Sequence, residues 1–163
     1  MDIRIVENSK MRAAWDLNAR AFQDSFGRAP TELEATDNFP VYTRGDHVIG
    51  AYDDDKNGVL VGMVIIRSQK RCSIITNLYV LPDYREKGVG RALLEFALEH
   101  LEQPQTPKPF QLLANRENQG AMKLYNDLGF RETYRWDNGI VHMERRDNWN
   151  APKMPPPSPE HDH

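Results

Sequence analysis

The segment Leu78-Tyr79-Val80-Leu81-Pro82-Asp83-Tyr84-Arg85-Glu86-Lys87-Gly88-Val89-Gly90-Arg91-Ala92-Leu93-Leu94 carries the clearest chemical signal in the chain. A strand ends, a turn follows, and a helix opens on two glycines. The first backbone N–H groups of a helix have no partner inside it and lie at the positive end of its dipole. Such a terminus attracts anions, and glycine lets a ligand approach the main chain because no Cβ intervenes. Arg85, Lys87 and Arg91 add local positive charge to a chain whose formal net charge is -3. The implied ligand is a phosphate or a diphosphate. A nucleoside-triphosphate loop needs Lys followed by Ser or Thr after its last glycine, but Arg91 and Ala92 stand there. A dinucleotide fingerprint needs a small residue three places after the second glycine, within an early βαβ unit. Leu93 occupies that place and the βαβ context is missing.

A second block runs from Asn118 to Phe130: Asn118, Ala121, Leu124-Tyr125 and Gly129-Phe130. Together, Arg85-x-x-Gly88-x-Gly90 and Asn118-x-x-Ala121…Leu124-Tyr125…Gly129-Phe130 resemble the coenzyme-binding pattern of the GNAT superfamily of N-acetyltransferases. The resemblance extends from Ile3 to about Glu144. It implies that acetyl-CoA is the cosubstrate and that the diphosphate rests on the backbone of Glu86, Lys87, Gly88, Val89, Gly90 and Arg91. It implies further that the pantetheine arm pairs like an added strand with Leu78, Tyr79 and Val80, a mode that suits its amides, and that Asn118 contacts the coenzyme. Asparagine is also a good helix cap, and both roles are open to Asn118.

Tyr125 matches the family's frequent general acid. A phenol with an ordinary pKa of about 10 is protonated at neutral pH and can give a proton to the departing thiolate. The alternative for Tyr125 is a core residue on the buried stripe of its helix. Glutamates that act as general base in some members correspond to Ile74 and Leu113, both apolar here. Water held by Thr76, Asn77 or a backbone carbonyl is the remaining route, and Asn115 and Glu117 stand nearby in sequence. The implied reaction is direct transfer of an acetyl group to a primary amine in a ternary complex. The competing function is an acyl-CoA sensor without turnover.

These residues need a scaffold. Ile3 and Ile5 alternate with polar neighbours as a first strand. Ser9 can cap a helix bearing Met11, Ala14, Trp15 and Phe22, with Trp15 and Phe22 on its core stripe; the family resemblance implies that they also help wall the acceptor site. Gly27 and Pro30 end it, and Thr31 to Asn38 reads as a short acidic helix. Asp24, Glu32, Glu34 and Asp37 are either an attraction for a cationic acceptor or ordinary charged surface. Strands are expected at His47–Tyr52, Val59–Ile66, Cys72–Val80, Phe110–Leu113, Arg131–Trp136 and Ile140–Glu144, with Asn57-Gly58 and Asp137-Asn138-Gly139 as turns. The run Val59–Ile66 is almost continuously apolar, as in a central strand covered on both faces. Helices are expected at Gly88–Leu101, with Leu94, Ala97, Leu98 and Leu101 inward, and after Asn118, ending at Gly129.

The expected fold is α/β (α+β): a mixed, mostly antiparallel sheet of about six to seven strands with helices on both faces. Residues 1–146 form the acetyltransferase-like domain, and 147–163 are a Pro-rich tail. The lone Cys72 permits no disulfide within the chain and reads as core. His47, His100 and His142 lie apart in sequence, without metal-ligand spacing, and His161 and His163 flank Asp162 at the end. The acidic balance argues against a nucleic-acid partner. No segment approaches the roughly 20 apolar residues of a membrane helix, and Met1-Asp2-Ile3-Arg4 lacks a signal-peptide run. A cytoplasmic enzyme without membrane partners is the expectation, and dimers are frequent among similar proteins.

Overall fold

The computed structural model describes residues 1–29, 31, 46–101 and 109–145, apart from the side chains at 25, 46 and 101. The acidic helix expected at Thr31–Asn38, most of the Pro-containing loop after residue 101 and the tail lie outside these residues. The elements are β1 (Asp2–Ile5), α1 (Met11–Phe26), β2 (Asp46–Asp53), β3 (Val59–Ser68), β4 (Ser73–Val80), α2 (Val89–Leu101), β5 (Phe110–Asn115), α3 (Gln119–Asp127), β6 (Arg131–Arg135) and β7 (Ile140–Arg145). Among the described residues, no helix is long and apolar enough to cross a membrane.

The seven strands hydrogen-bond in the order β1-β2-β3-β4-β5-β7-β6. The β1–β2, β2–β3, β5–β7 and β6–β7 pairs are antiparallel, and β4–β5 is parallel through Ser73–Phe110 and Ile74–Gln111. The sheet is therefore mixed and mostly antiparallel, as expected. The chain divides into two compact units, Met1–Arg67 with Ile75–Gln103, and Ser68–Ile74 with Pro104–His163.

In the first unit, alternation along the strands assigns each helix a face. Val48, Met63 and Ile65 share a buried cluster with Ala14 and Leu17 of α1. Their immediate neighbours point the other way: a Cβ on Gly62 would come within 3.2 Å of Leu93 of α2, and His47 meets His100 of α2. Strand β3 is thus covered on both faces, which is why it is apolar at nearly every position. The buried stripe of α1 is Ala14 and Leu17, whereas Trp15 is 37% exposed. One residue along a helix is a turn of about 100°, so Ala14 and Trp15 cannot both face the core squarely. Gly27, at φ 72, ends α1 and donates its N–H to Gln23 O at 2.7 Å. Asn57 and Gly58 both take left-handed φ, as an Asn-Gly turn requires.

In the second unit, Phe110, Leu112, Phe130, Val141 and Met143 are buried. Helix α3 packs against β5. Gly129 takes φ 93 just past the end of α3, the left-handed position that glycine fills without penalty.

Candidate active site

The turn after β4 is built from main chain. Pro82–Tyr84 form one turn of 3-10 helix, in which Tyr84 N–H donates to Leu81 O at 2.9 Å and Arg85 N–H to Pro82 O at 3.2 Å. Glu86 then takes φ 62 and Gly88 φ 81. Left-handed residues in a turn can aim nearby N–H groups toward one side, and such concavities bind anions. Helix α2 follows at once. Ala92 N–H donates to Gly88 O at 3.0 Å, so the N–H groups of Val89, Gly90 and Arg91 precede the first helical bond. A Cβ built on Gly88 meets nothing within 4 Å. The glycine is required by its φ, and the space beside it is open to a ligand.

Two side-chain braces hold this turn. Arg85 Nε donates to Val80 O at 2.8 Å, and its guanidinium lies 5.4 Å from the Tyr79 ring centroid and 4.0 Å from Asp24 of α1. The Tyr79 hydroxyl donates to the Asp24 carboxylate. Burial, with help from Asp24, pushes the Tyr79 phenol above its ordinary pKa. The second brace is the Tyr84 hydroxyl, which donates to Asp53 Oδ2 at 2.5 Å while Asp53 Oδ1 accepts from Asp55 N–H at 3.0 Å. The phenol hydrogen bond holds the Asp53 carboxyl below its ordinary value and raises that of Tyr84. Arg91 pairs with Glu95 one turn further along α2, at 2.8 Å. Sequence reading credits Arg85 with charge alone; the structure adds that it ties the turn to the end of β4. Asp24 is neither a free lure for cations nor idle surface, because Tyr79 and Arg85 engage it.

A cavity of about 340 Å³ lies between α1 and β4, lined by Asn18, Ala21, Phe22 and Phe26 from the helix and by Asn77, Leu78 and Tyr79 from the strand. Asn77 interrupts the extended run of β4 with φ 55, a conformation that asparagine tolerates better than most residues. Thr76 Oγ1 donates to Asn77 Oδ1 at 2.8 Å, and Asn77 Nδ2 donates to Asn18 Oδ1 at 2.9 Å. Phe22 and Phe26 sit with ring centroids 4.5 Å apart. Asn18 and Phe26 are absent from the sequence reading. Their one signal is helical spacing along α1, which marks a face without saying what it meets.

In the second unit, Asn118 caps α3, its Oδ1 accepting from Ala121 N–H at 3.1 Å. Tyr125 is 9% exposed and packs edge-on against Phe130, with ring centroids 6.3 Å apart. Burial raises its phenol above the ordinary 10.0, so the group stays protonated across the neutral range. Asn115 Oδ1 accepts from Glu117 N–H at 3.0 Å and so serves the turn after β5. Leu113, where a base stands in some proteins of the resembled pattern, is 62% exposed.

One contact is absent from the sequence reading, and one expectation needs correction. His47 and His100, remote in sequence, meet edge-on with centroids 5.0 Å apart, because β2 and α2 pack together. Among the described residues, no group of three or more metal-ligating side chains forms. Cys72 is not a core strand residue. It sits in the turn before β4, partly exposed, with its carbonyl accepting from Gln69 N–H at 2.9 Å. Chain reversal at Gln69–Cys72 delays the strand by one residue.

Comparison with known proteins finds similarity in sequence and in fold. The model of the acetyltransferase (GNAT) family matches residues 11–130. The UPF0157 protein YqkA of Bacillus subtilis (strain 168) is 33% identical over 88 residues, which are 53% of this chain and 25% of that protein. The alanine N-acetyltransferase of ribosomal protein bS18 from Escherichia coli (strain K12) is 34% identical over 77 residues, 47% of this chain and 51% of that protein. These alignments therefore span between a quarter and about half of the relatives' own length. The crystal structure of Escherichia coli ElaA shares the fold, with a TM-score of 0.69 at 19% identity, covering 90% of this chain and all of that one.

Proposed function

The chain belongs to the GNAT family of acetyltransferases, and from that premise we propose that it binds acetyl-CoA at the turn from Arg85 to Arg91 and transfers the acetyl group to a primary amine. The observation that carries this reading is the turn itself: left-handed Glu86 and Gly88 feeding directly into the start of α2, with open space beside Gly88. A diphosphate fits such a cradle, because main-chain N–H groups and a helix dipole both favour it. Leu78, Tyr79 and Val80 offer strand backbone to the amides of the pantetheine arm, and Asn118 is a further contact in this reading.

Acetyl-CoA supplies an activated thioester. The protein's part is to hold it, to orient the amine and to manage protons. The amine loses one proton to water before its nitrogen attacks the thioester carbon. The C–N bond forms and the C–S bond breaks. The Tyr125 hydroxyl gives its proton to the leaving sulfur, and the second proton of the new amide nitrogen returns to the phenol through solvent. With a phenol held above 10.0 by burial, Tyr125 is a proton donor across the whole working range. No side chain is assigned as base, since Ile74 and Leu113 are apolar and Asn115 is engaged in its turn.

The test is release of coenzyme thiol when the purified chain is mixed with acetyl-CoA and a panel of primary amines. Tyr125→Phe is expected to lower kcat by about a hundredfold, the lower range for general acid catalysis, with coenzyme Kd nearly unchanged by calorimetry. Unchanged kcat removes Tyr125 from the mechanism. Coenzyme binding without thiol release for any amine defeats the transfer reading.

A further inference from the structure

We infer that the acceptor is a primary amine carried on an uncharged, apolar arm, seated in the cavity between α1 and β4 with Asn18 orienting its nitrogen; the inference rests on the acetyltransferase reading above.

Position comes first. The cavity is lined by Leu78 and Tyr79, and the same stretch of β4 runs into the turn that begins at Pro82. A ligand here lies along the strand that leads to the proposed coenzyme grip. A volume of about 340 Å³ is at the small end of the range for small-molecule sites, about 300–1,000 Å³. It accommodates a compact acceptor.

The walls specify the arm. Ala21, Phe22, Phe26 and Leu78 are apolar. Phe26 is 66% exposed although its ring lies against that of Phe22. An exposed phenylalanine beside a cavity loses water contact when an apolar arm covers it. Charge is disfavoured at the same place. The Arg28 guanidinium already lies 5.2 Å from the Phe22 ring centroid, so a cation occupies that side of the ring. The nearest carboxylate on this part of α1, Asp24, accepts from the Tyr79 hydroxyl and faces Arg85. Its charge is spent within the fold. A polyamine, which carries a second ammonium, finds no carboxylate among the described residues that line the cavity.

The polar end of the cavity specifies the nitrogen. Thr76 donates to Asn77 Oδ1, which fixes the Asn77 carboxamide so that its Nδ2 donates to Asn18 Oδ1. A carboxamide oxygen has two lone pairs, and Asn77 takes one of those on Asn18. The other can accept an N–H from an amine. A neutral acceptor orients the amine without stabilising its protonated form as a carboxylate would. That is a useful property where no side chain is assigned to remove the proton.

The experiment measures thiol release by the full-length chain with acetyl-CoA and three amines: 2-phenylethylamine, a dipeptide amide with an N-terminal phenylalanine, and spermidine. The expected result is kcat/KM at least about tenfold higher for an apolar amine than for spermidine, the scale on which one pocket contact discriminates. The ratio between the first two tells whether the arm belongs to a small molecule or to a peptide, and either ratio supports the class. Phe26→Ala is expected to raise KM for the preferred apolar amine by about tenfold without changing coenzyme KM. Because Phe26 is mostly exposed, folding is not at stake. Asn18→Asp is expected to shift preference toward spermidine, with coenzyme KM again unmoved. Preference for spermidine by the unaltered protein, or an apolar-amine KM indifferent to Phe26→Ala, overturns the inference and leaves the acetyltransferase reading standing. Thiol release with no amine of any class overturns both.

Discussion

The turn from Arg85 to Arg91 and the cavity between α1 and β4 are made of different material. In the turn, main-chain N–H groups and the dipole of α2 face the proposed ligand, and the side chains of Arg85 and Tyr84 act as braces behind it. In the cavity, the proposed recognition of the acceptor falls to side chains: two carboxamides and two phenylalanine rings. A site made of backbone tolerates most substitutions but is sensitive to φ. A site made of side chains is re-tuned by single substitutions while its scaffold persists. The first suits a ligand that never changes, the second a partner that differs from one protein to the next.

The sharpest way to break this contrast is Gly88→Val. Non-glycine residues at left-handed φ cost about 1–2 kcal/mol, and Gly88 sits at φ 81 with open space around it. Coenzyme Kd by calorimetry is expected to rise about tenfold, with the far-ultraviolet circular dichroism of the folded protein unchanged. Unaltered affinity means that the main chain is not what grips the ligand. Asn77→Ala probes the other region. It removes the acceptor of Thr76 and the donor to Asn18. It is expected to raise acceptor KM about fivefold, roughly the worth of one hydrogen bond, and to leave coenzyme Kd alone. Equal effects on both ligands erase the distinction between the regions.

The smallest expected effect lies in the brace between Tyr84 and Asp53. Tyr84→Phe is expected to weaken coenzyme binding about twofold, the low end for loss of one hydrogen bond. Its pH dependence sharpens the comparison. The Asp53 carboxyl is held below its ordinary value in the folded protein. A group with a lowered folded pKa contributes fully above its unfolded value, about 3.9, and loses that contribution as pH falls through the folded one. The brace's contribution to folding stability is therefore expected to be flat from pH 8 to about pH 5 and to fade only below about pH 4, in thermal melts that compare the protein with Tyr84→Phe.

The two materials also explain what the amino-acid order discloses. A left-handed backbone favours glycine or asparagine, Glu86 being the exception, so Gly27, Asn57-Gly58, Gly88 and Gly129 announce their turns in advance. Asn118 announces its cap in the same way. The strands follow from alternation, and β3 from the lack of it. Asn18 and Asn77, by contrast, are 59 residues apart and meet only because α1 lies on the face of the sheet that β4 reaches. No local rule connects them. The same holds for His47 and His100, and for Asp24, whose partners Tyr79 and Arg85 are remote in the chain. Trp15 misleads for a different reason: a large aromatic weighs heavily in a periodicity argument, while the inward face of α1 belongs to Ala14 and the unremarked Leu17.

Arg85 is bonded to the Val80 carbonyl and faces Asp24, and Asp24 also holds Tyr79 of the cavity wall. A guest that draws this guanidinium toward its own phosphates would leave Asp24 with one neighbour fewer, and the helix bearing Asn18 and Phe22 would register the arrival. Thermodynamic reciprocity then requires that filling the cavity alter affinity at the turn by the same factor. On this reading the two guests are coupled, each to the other, through a single cationic side chain.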